Sequence, residues 1–379
     1  MQIKGDTMHT DPNLRRKPRR LSLLVAIAVV AALAFAVGAS AQKIITFDVP
    51  GAGTGAGQGT IPYGINPVGD VIGWFVDGNN VSHGFVRNPW GKITTFDAPG
   101  AGTGAGQGTS AYGMNTLGVI VGYFTDNNGV VHGFVRDLWG KIITFDAPDA
   151  GTGAGQGTWF SNINDAGEIS GAGVDGSNAI YGFVVTPSGH YTTYEAPGSG
   201  TGYFQGTDSP TFYALNPAGM GTGWYVDGNY CVHGWVRSPS GEITSFDDPK
   251  AVCFTLPVSL NLKGEVAGFY TDANNVNHGF LRAPDGKITS FDAPGAGTGS
   301  GQGTVLWSNN PAGAITGDYV DANNLAHGHE RIPNGKTMEF DVPGASRGTY
   351  PSGNNPAGVV MGNYVDANGV NHGFLWMPW

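Results

Sequence analysis

Six histidines, His83, His132, His233, His278, His327 and His372, recur along the chain beside two recurring sets of carboxylates. One set is Asp77, Asp126, Asp175, Asp227, Asp272, Asp321 and Asp366, nearly all in a D-x-N sequence; the other is Asp48, Asp97, Asp146, Glu195, Asp247, Asp292 and Asp341. Imidazole beside carboxylate can do general acid–base chemistry or hold a metal. Carboxylates with Asn side chains and loop carbonyls are also the ligands of calcium and other hard cations, so Asp77, Asp126, Asp227, Asp272, Asp321 and Asp366 are the candidate cation ligands. The competing use is structural, each Asp accepting backbone N–H bonds in its own turn. Recurrence favours that use, because every repeat needs its turn and few need a metal. The histidines fall in different repeats, too far apart to share one ion, and Tyr181 takes the place of one, which suits a post bridging a turn to a neighbouring strand.

A second chemistry-bearing set is aromatic. Tyr63, Tyr112, Tyr213 and Trp307 stand three residues before a repeated Asn, and Trp159, Phe160 and Phe212 lie close to that position. Aromatic faces stack on sugar rings, so Tyr63, Tyr112, Trp159, Phe160, Tyr213 and Trp307 form the candidate ligand site; packing between repeats is the alternative. No G-x-S-x-G, H-E-x-x-H or P-loop sequence occurs. The recurring GAGTGAGQG is not a dinucleotide fingerprint, because it precedes strands and opens no helix; it reads as a flexible connector.

These residues sit on a repeat. The Phe-Asp position is occupied at Phe47, Phe96, Phe145, Tyr194, Phe246, Phe291 and Phe340, and the repeated Asn at Asn66, Asn115, Asn164, Asn216, Asn261, Asn310 and Asn355. Asn to His (or Tyr181) is always 17 residues and His to the next Phe always 13, whereas Phe to Asn runs 19, 19, 19, 22, 15, 19 and 15. Fixed spacing marks paired strands in register, and the variable segment marks a surface loop. The fixed part predicts four short strands, exemplified by the run entering Asn115, Val119 to Thr125, His132 to Arg136 and Lys141 to Asp146, separated by Gly, Asn, Asp and Pro turns.

Four antiparallel strands every 45 to 50 residues, seven times over, describe an all-β seven-bladed β-propeller. A lone strand at Lys43 to Val49 and a final three-strand unit ending near Trp376 would complete one blade and close the ring. An open two-coil solenoid is the alternative, and it would need distinct caps. In a propeller the Gly-rich loops and D-x-N turns share one face, which is where a ligand surface is expected. Cys231 and Cys253 both fall on that face in adjacent blades and are expected to form a disulfide.

Of 379 residues 64 are Gly, and only 13% are charged. Basic residues from Arg15 to Arg20, an apolar run from Leu21 to Val37 and Ala39-Ser40-Ala41 read as a signal peptide over residues 1–41, with an uncleaved membrane anchor as the alternative. Residues 42–379 then form one domain carrying 13 Lys and Arg against 27 Asp and Glu, a formal charge of −14. Such a chain repels phosphate backbones and anionic lipid surfaces, so neither nucleic acid nor membrane, beyond the signal segment, is an expected partner.

The order G-[IM]-N-x-x-G, G-x-[FY]-x-D-x-N and H-G-F resembles the HAF-family probable extracellular repeat, with Gly84, Gly133, Gly234, Gly279 and Gly373 where that family has Ala. His327-Gly328-His329 departs further by losing the Phe. The resemblance spans the whole of residues 42–379 and implies a secreted, periplasmic or cell-surface bacterial protein; it transfers no catalytic residue. The expectation is a monomeric, non-enzymatic binding or scaffold protein whose loop face takes a glycan or a protein, with no cofactor unless calcium is one. The alternative is a carbohydrate-active hydrolase or lyase using two carboxylates about 5 to 9 Å apart. Asp149 and Asp208, which lie outside the repeat pattern, are its candidate acids.

Overall fold

The three turns inside each repeat are built alike, and they dictate the architecture. In the first repeat Asn66, Asp77 and Asn88 each turn a side-chain oxygen onto the backbone N–H four residues on, at Asp70 (2.8 Å), Val81 (2.9 Å) and Lys92 (2.9 Å). The side chain thus holds the turn while the strands on either side pair.

The computed structural model describes residues 42–208 and 214–378, and these contain 28 strands and no helix. After β1 (Lys43–Phe47), strands β2 (Gly59–Ile65), β3 (Val71–Val76), β4 (Ser82–Arg87) and β5 (Ile93–Phe96) form an antiparallel meander. The order recurs in β6 (Gly108–Met114), β7 (Ile120–Thr125), β8 (Val131–Arg136) and β9 (Ile142–Phe145), then in β10 (Gly157–Ile163), β11 (Ile169–Val174), β12 (Ile180–Val185) and β13 (Tyr191–Tyr194). It continues through β14 (Gly206–Asp208), β15 (Gly221–Val226), β16 (Val232–Arg237) and β17 (Ile243–Phe246), followed by β18 (Thr255–Leu260), β19 (Val266–Thr271), β20 (Asn277–Arg282) and β21 (Ile288–Phe291). Next come β22 (Gly303–Asn309), β23 (Ile315–Val320), β24 (Ala326–Arg331) and β25 (Thr337–Phe340), and last β26 (Gly348–Asn354), β27 (Val360–Val365) and β28 (Asn371–Met377). The free edge of β28 is taken by β1, antiparallel, with Lys43 opposite Met377 and Phe47 opposite Gly373.

Neighbouring repeats are tied at three levels. The Gly-rich loop is pinned rather than flexible: Gly53 N–H donates to Val76 O (2.8 Å), Gly57 N–H to Gly369 O (2.8 Å), and the Gln58 side chain accepts from Gly55 and donates to Asn80. The loop ends in a short parallel bridge to the preceding repeat, as Gly108 does on Ser82, where φ is 107° and a side chain would strike the Ser82 carbonyl. The buried Thr that follows takes the backbone N–H at the end of the preceding fourth strand, as Thr109 Oγ1 does from Ala98 (2.9 Å).

The third tie is apolar. The Phe of each H-G-F packs edge-on against the ring ending the preceding fourth strand: Phe85 on Phe47 (6.3 Å), Phe134 on Phe96 (6.0 Å), Phe280 on Phe246 (6.1 Å) and Phe374 on Phe340 (5.9 Å). Arg87 and Arg136 cover the same rings Phe47 and Phe96 at 4.9 Å. The Gly in this tripeptide has a steric cause, since a Cβ on Gly84 would come within 2.6 Å of Phe96.

His329 occupies the position of these phenylalanines, fully buried, with neither ring nitrogen hydrogen-bonded. Burial pulls its pKa down to about 4, so it is neutral in the fold. A depressed value means that its neutral form supports folding above pH 6.5 and is penalised as pH falls toward 4. His329→Phe is expected to raise stability by about 1 to 3 kcal/mol in denaturant unfolding at pH 7, and by more at pH 5.

Candidate functional site

The first strand of six repeats carries an irregularity the repeat pattern does not announce. In β2, β6, β10, β18, β22 and β26 the pairing register slips, leaving Tyr63, Tyr112, Ser161, Val258, Trp307 and Ser352 as the extra residue of a β-bulge. A bulge frees a side chain from the pleat and re-aims it. Tyr63 and Tyr112 thereby reach the wall of a cavity of about 140 Å³, which is lined by the ends of all six strands and by Leu215, Asn216 and Pro217 of the remaining repeat. The cavity lies beside the N-x-x-G turns, at the opposite end of the first strands from the Gly-rich loops where the sequence places a ligand surface.

From the cavity wall an aromatic arc runs toward the loop end through half-buried rings. Tyr63 meets Trp74 (5.1 Å) and Tyr112 (4.4 Å), Trp74 stacks on Tyr112 (5.1 Å), Tyr112 stacks on Tyr123 (4.8 Å), and Tyr123 meets Trp159 edge-on (6.2 Å). The Tyr112 and Tyr123 hydroxyls are 2.8 Å apart. Burial, then the neighbouring Tyr123 and Tyr63, pushes the Tyr112 phenol well above its usual range. A second group joins Phe254, Phe269 and Trp307. Trp74 and Tyr123 belong to second strands, and nothing in the repeat singles them out; their signal is only that Ala172, Asp318 and Asn363 hold the same place elsewhere.

The other sequence candidates divide. Phe160 is not at the cavity: it is 1% exposed and packs on Phe145 and Phe183 in the core between repeats, because its side chain points to the opposite face from Trp159. Tyr213 lies outside the described residues. Asp77, Asp126, Asp227, Asp272, Asp321 and Asp366 do not converge; each carboxylate accepts two backbone N–H bonds of its own turn, as Asp321 does from Asn323 and Leu325. The Leu325 bond leads the influences that hold Asp321 down to about 2. Among the described residues no three His, Cys, Asp or Glu are placed to share a metal ion. Asp149 is exposed and Asp208 half-buried.

The histidines link the two carboxylate sets. His83 Nδ1 donates to Asp97 (2.9 Å), its Nε2 lies 3.7 Å from Asp77, and its ring stacks on Phe75 (4.9 Å). His132, His233, His278, His327 and His372 repeat this, the last reaching Asp48, which directly follows β1. At Tyr181 the partner Glu195 turns instead to Thr207 (2.9 Å) and Ser199 (3.0 Å). Cys231 and Cys253 form a disulfide.

One junction departs from the repeat chemically. Where the first five repeats carry apolar residues, β22 to β26 carry Asp318, Glu330, Asn309 and Asn354, all buried. Trp307 Nε1 donates to Asp318 (2.6 Å), Asn354 Nδ2 to Glu330 (3.2 Å) and Ser308 Oγ to Asn354 (2.9 Å). Burial outweighs these bonds and pushes both carboxyls up to about 7.

The repeated four-stranded meanders and the cavity shared by their first strands define the β-propeller class. Solved structures agree. The chain is similar to streptogramin B lyase (17% identical over 88% of this chain and 97% of that one, TM-score 0.55). It is also similar to virginiamycin B lyase from Staphylococcus aureus (16%, 89% and 99%, TM-score 0.56) and to the BP39L lectin from Burkholderia pseudomallei (11%, 84% and 96%, TM-score 0.53). At such identities the likeness is one of fold. No family model and no curated protein matches the chain.

Because the folded pKa values of Asp318 and Glu330 lie above their unfolded ones, the stability these acids contribute is full below about pH 4 and lost as pH rises through about 7. The thermal midpoint is expected to fall between pH 6 and pH 9, and Asp318→Asn with Glu330→Gln should flatten that fall. An unchanged slope in the double variant would show that the two acids stay neutral or find cations.

Proposed function

We propose that this chain is an exported, non-enzymatic binding protein that takes a glycan on the aromatic arc, built on a closed seven-bladed propeller. The arc carries the reading: five half-buried Tyr and Trp rings in contact offer apolar faces and polar rims together, which is what a sugar ring requires. A lectin among the proteins of like fold is consistent with it. Closure is supported by the β1–β28 pairing, by the parallel bridge from Gly59 to Asn371 and by Asn355 Nδ2 donating to Asn66 O (3.4 Å) across 289 residues. Export and a secreted or cell-surface site are supported by the apolar run before Ala41, the resemblance to an extracellular repeat and the Cys231–Cys253 bond, which suits an oxidising compartment. The protein acts as a monomer in this reading.

A glycan array read by binding, followed by titration of intrinsic Trp fluorescence, tests the proposal. Trp74→Ala and Trp159→Ala should each weaken the best glycan about tenfold or more, at about 1 to 3 kcal/mol per lost stacking face, with His329→Phe unaffected. Release of a cleaved product from the array glycan would instead favour a hydrolase or lyase.

A further inference from the structure

We propose that the tight-turn face of the first two repeats rests on an anionic lipid bilayer. The turn between the third and fourth strands has Trp90 in the first repeat and Trp139 in the second, 88% and 87% exposed. The third to sixth repeats have Ser188, Ser240, Asp285 and Asn334 in that place, so neither Trp is a requirement of the turn. Leu138 beside Trp139, and Val68 and Leu117 in the adjoining N-x-x-G turns, are also at least half exposed, whereas later repeats have Ala or Lys where Val68 and Leu117 stand. Among the described residues this exposed apolar ridge falls on two neighbouring repeats; such a ridge marks an interaction surface, and Trp is the residue that settles at a membrane–water boundary.

Charge names the occupant. After residue 41, only Lys250 and Arg347 among the Lys and Arg fall at the loop end; all others sit at the tight-turn end, with Lys92 and Lys141 directly following the two Trp turns. The repeated carboxylates gather at the loop end, while this patch holds Asp70 and Asp137, both engaged in turn hydrogen bonds, and Asp165 of the third repeat, which accepts from Thr116 beside Leu117. The formal charge of −14 therefore misleads: the molecule is polarised, and the ridge lies on its basic side, where Lys is drawn to an anionic surface. At the same end Lys43, the first residue of β1, stands opposite Met377 of β28. Docked in this way, the protein turns its acidic loop face away from the lipid.

Hydrogen exchange of the full-length chain, alone and with phosphatidylcholine vesicles that either contain or lack one quarter phosphatidylglycerol, tests this. The expected result is exchange slowed about tenfold or more in the turns 88–92 and 137–141 with the anionic vesicles, with the loops 53–58 unchanged. The protection should disappear at high salt, in the Trp90→Ser, Trp139→Ser double variant, which installs the residue the third and fourth repeats use, and in Lys92→Ser, Lys141→Ser. Unchanged melting of these variants separates lost docking from lost folding. Equal protection in both vesicle types, protection spread over the loop face, or protection without vesicles that fades on dilution, as a second copy would give, overturns the proposal.

Discussion

Among the described residues, six repeats use one buried asparagine twice, and the rest of the structure hangs on that double use. Its Oδ1 holds the N-x-x-G turn closed, as Asn164 does on Glu168 N–H (2.9 Å), while its Nδ2 reaches out of the repeat. Asn115 donates to Asn164 O (3.5 Å), Asn164 to Asn216 O (3.1 Å), Asn310 to Asn355 O (2.9 Å) and Asn355 to Asn66 O (3.4 Å). All seven repeated asparagines are 5% exposed or less, so losing the amide of Asn115, Asn164, Asn310 or Asn355 strands a carbonyl in the neighbouring repeat as well as its own turn. The belt sets the width of the cavity it surrounds, and with it the spacing of the bulged Tyr63 and Tyr112.

The same economy explains why the recurring polar residues are poor guides to function. Asp77, His83 and Asp97 form one mutually satisfied unit of turn, strand start and strand end, reproduced with small variation around the chain. Groups so fully occupied have little left for a ligand. What is free to differ is the set of positions no turn or belt requires: the bulge residue, the fourth residue of the second strand and the tip of the third turn. Trp74, Tyr123, Asp318, Trp90 and Trp139 all stand at such positions.

Much of this was legible beforehand. Invariant spacings placed the strands to within a residue or two, as with Val119 to Thr125 against β7 at Ile120–Thr125, because Asn, Asp and Gly leave the hairpin turns few alternatives. Three things were not legible. A bulge preserves composition and length, so nothing in Tyr112-Gly113-Met114-Asn115 says that Tyr112 is unpaired. Phe160 and Trp159 look equivalent as neighbours in sequence, yet strand alternation sends one to the core and the other to the arc. The segregation of Lys and Arg from Asp and Glu emerges only when the strand ends are assigned to faces, since a net charge carries no direction. His329 shows the reverse case: its departure from Phe was visible, but its cost depends on burial.

In the proposed closed ring the repeats are interdependent, whereas a row of stacked units would loosen from its ends. Native-state amide exchange as a function of denaturant separates the two. A closed ring predicts that amides of β2 and β27 open with the same free energy as those of β11 and β15, in one cooperative event. Progressive opening, with β26 to β28 and β2 to β5 exchanging well before the middle repeats, would contradict it.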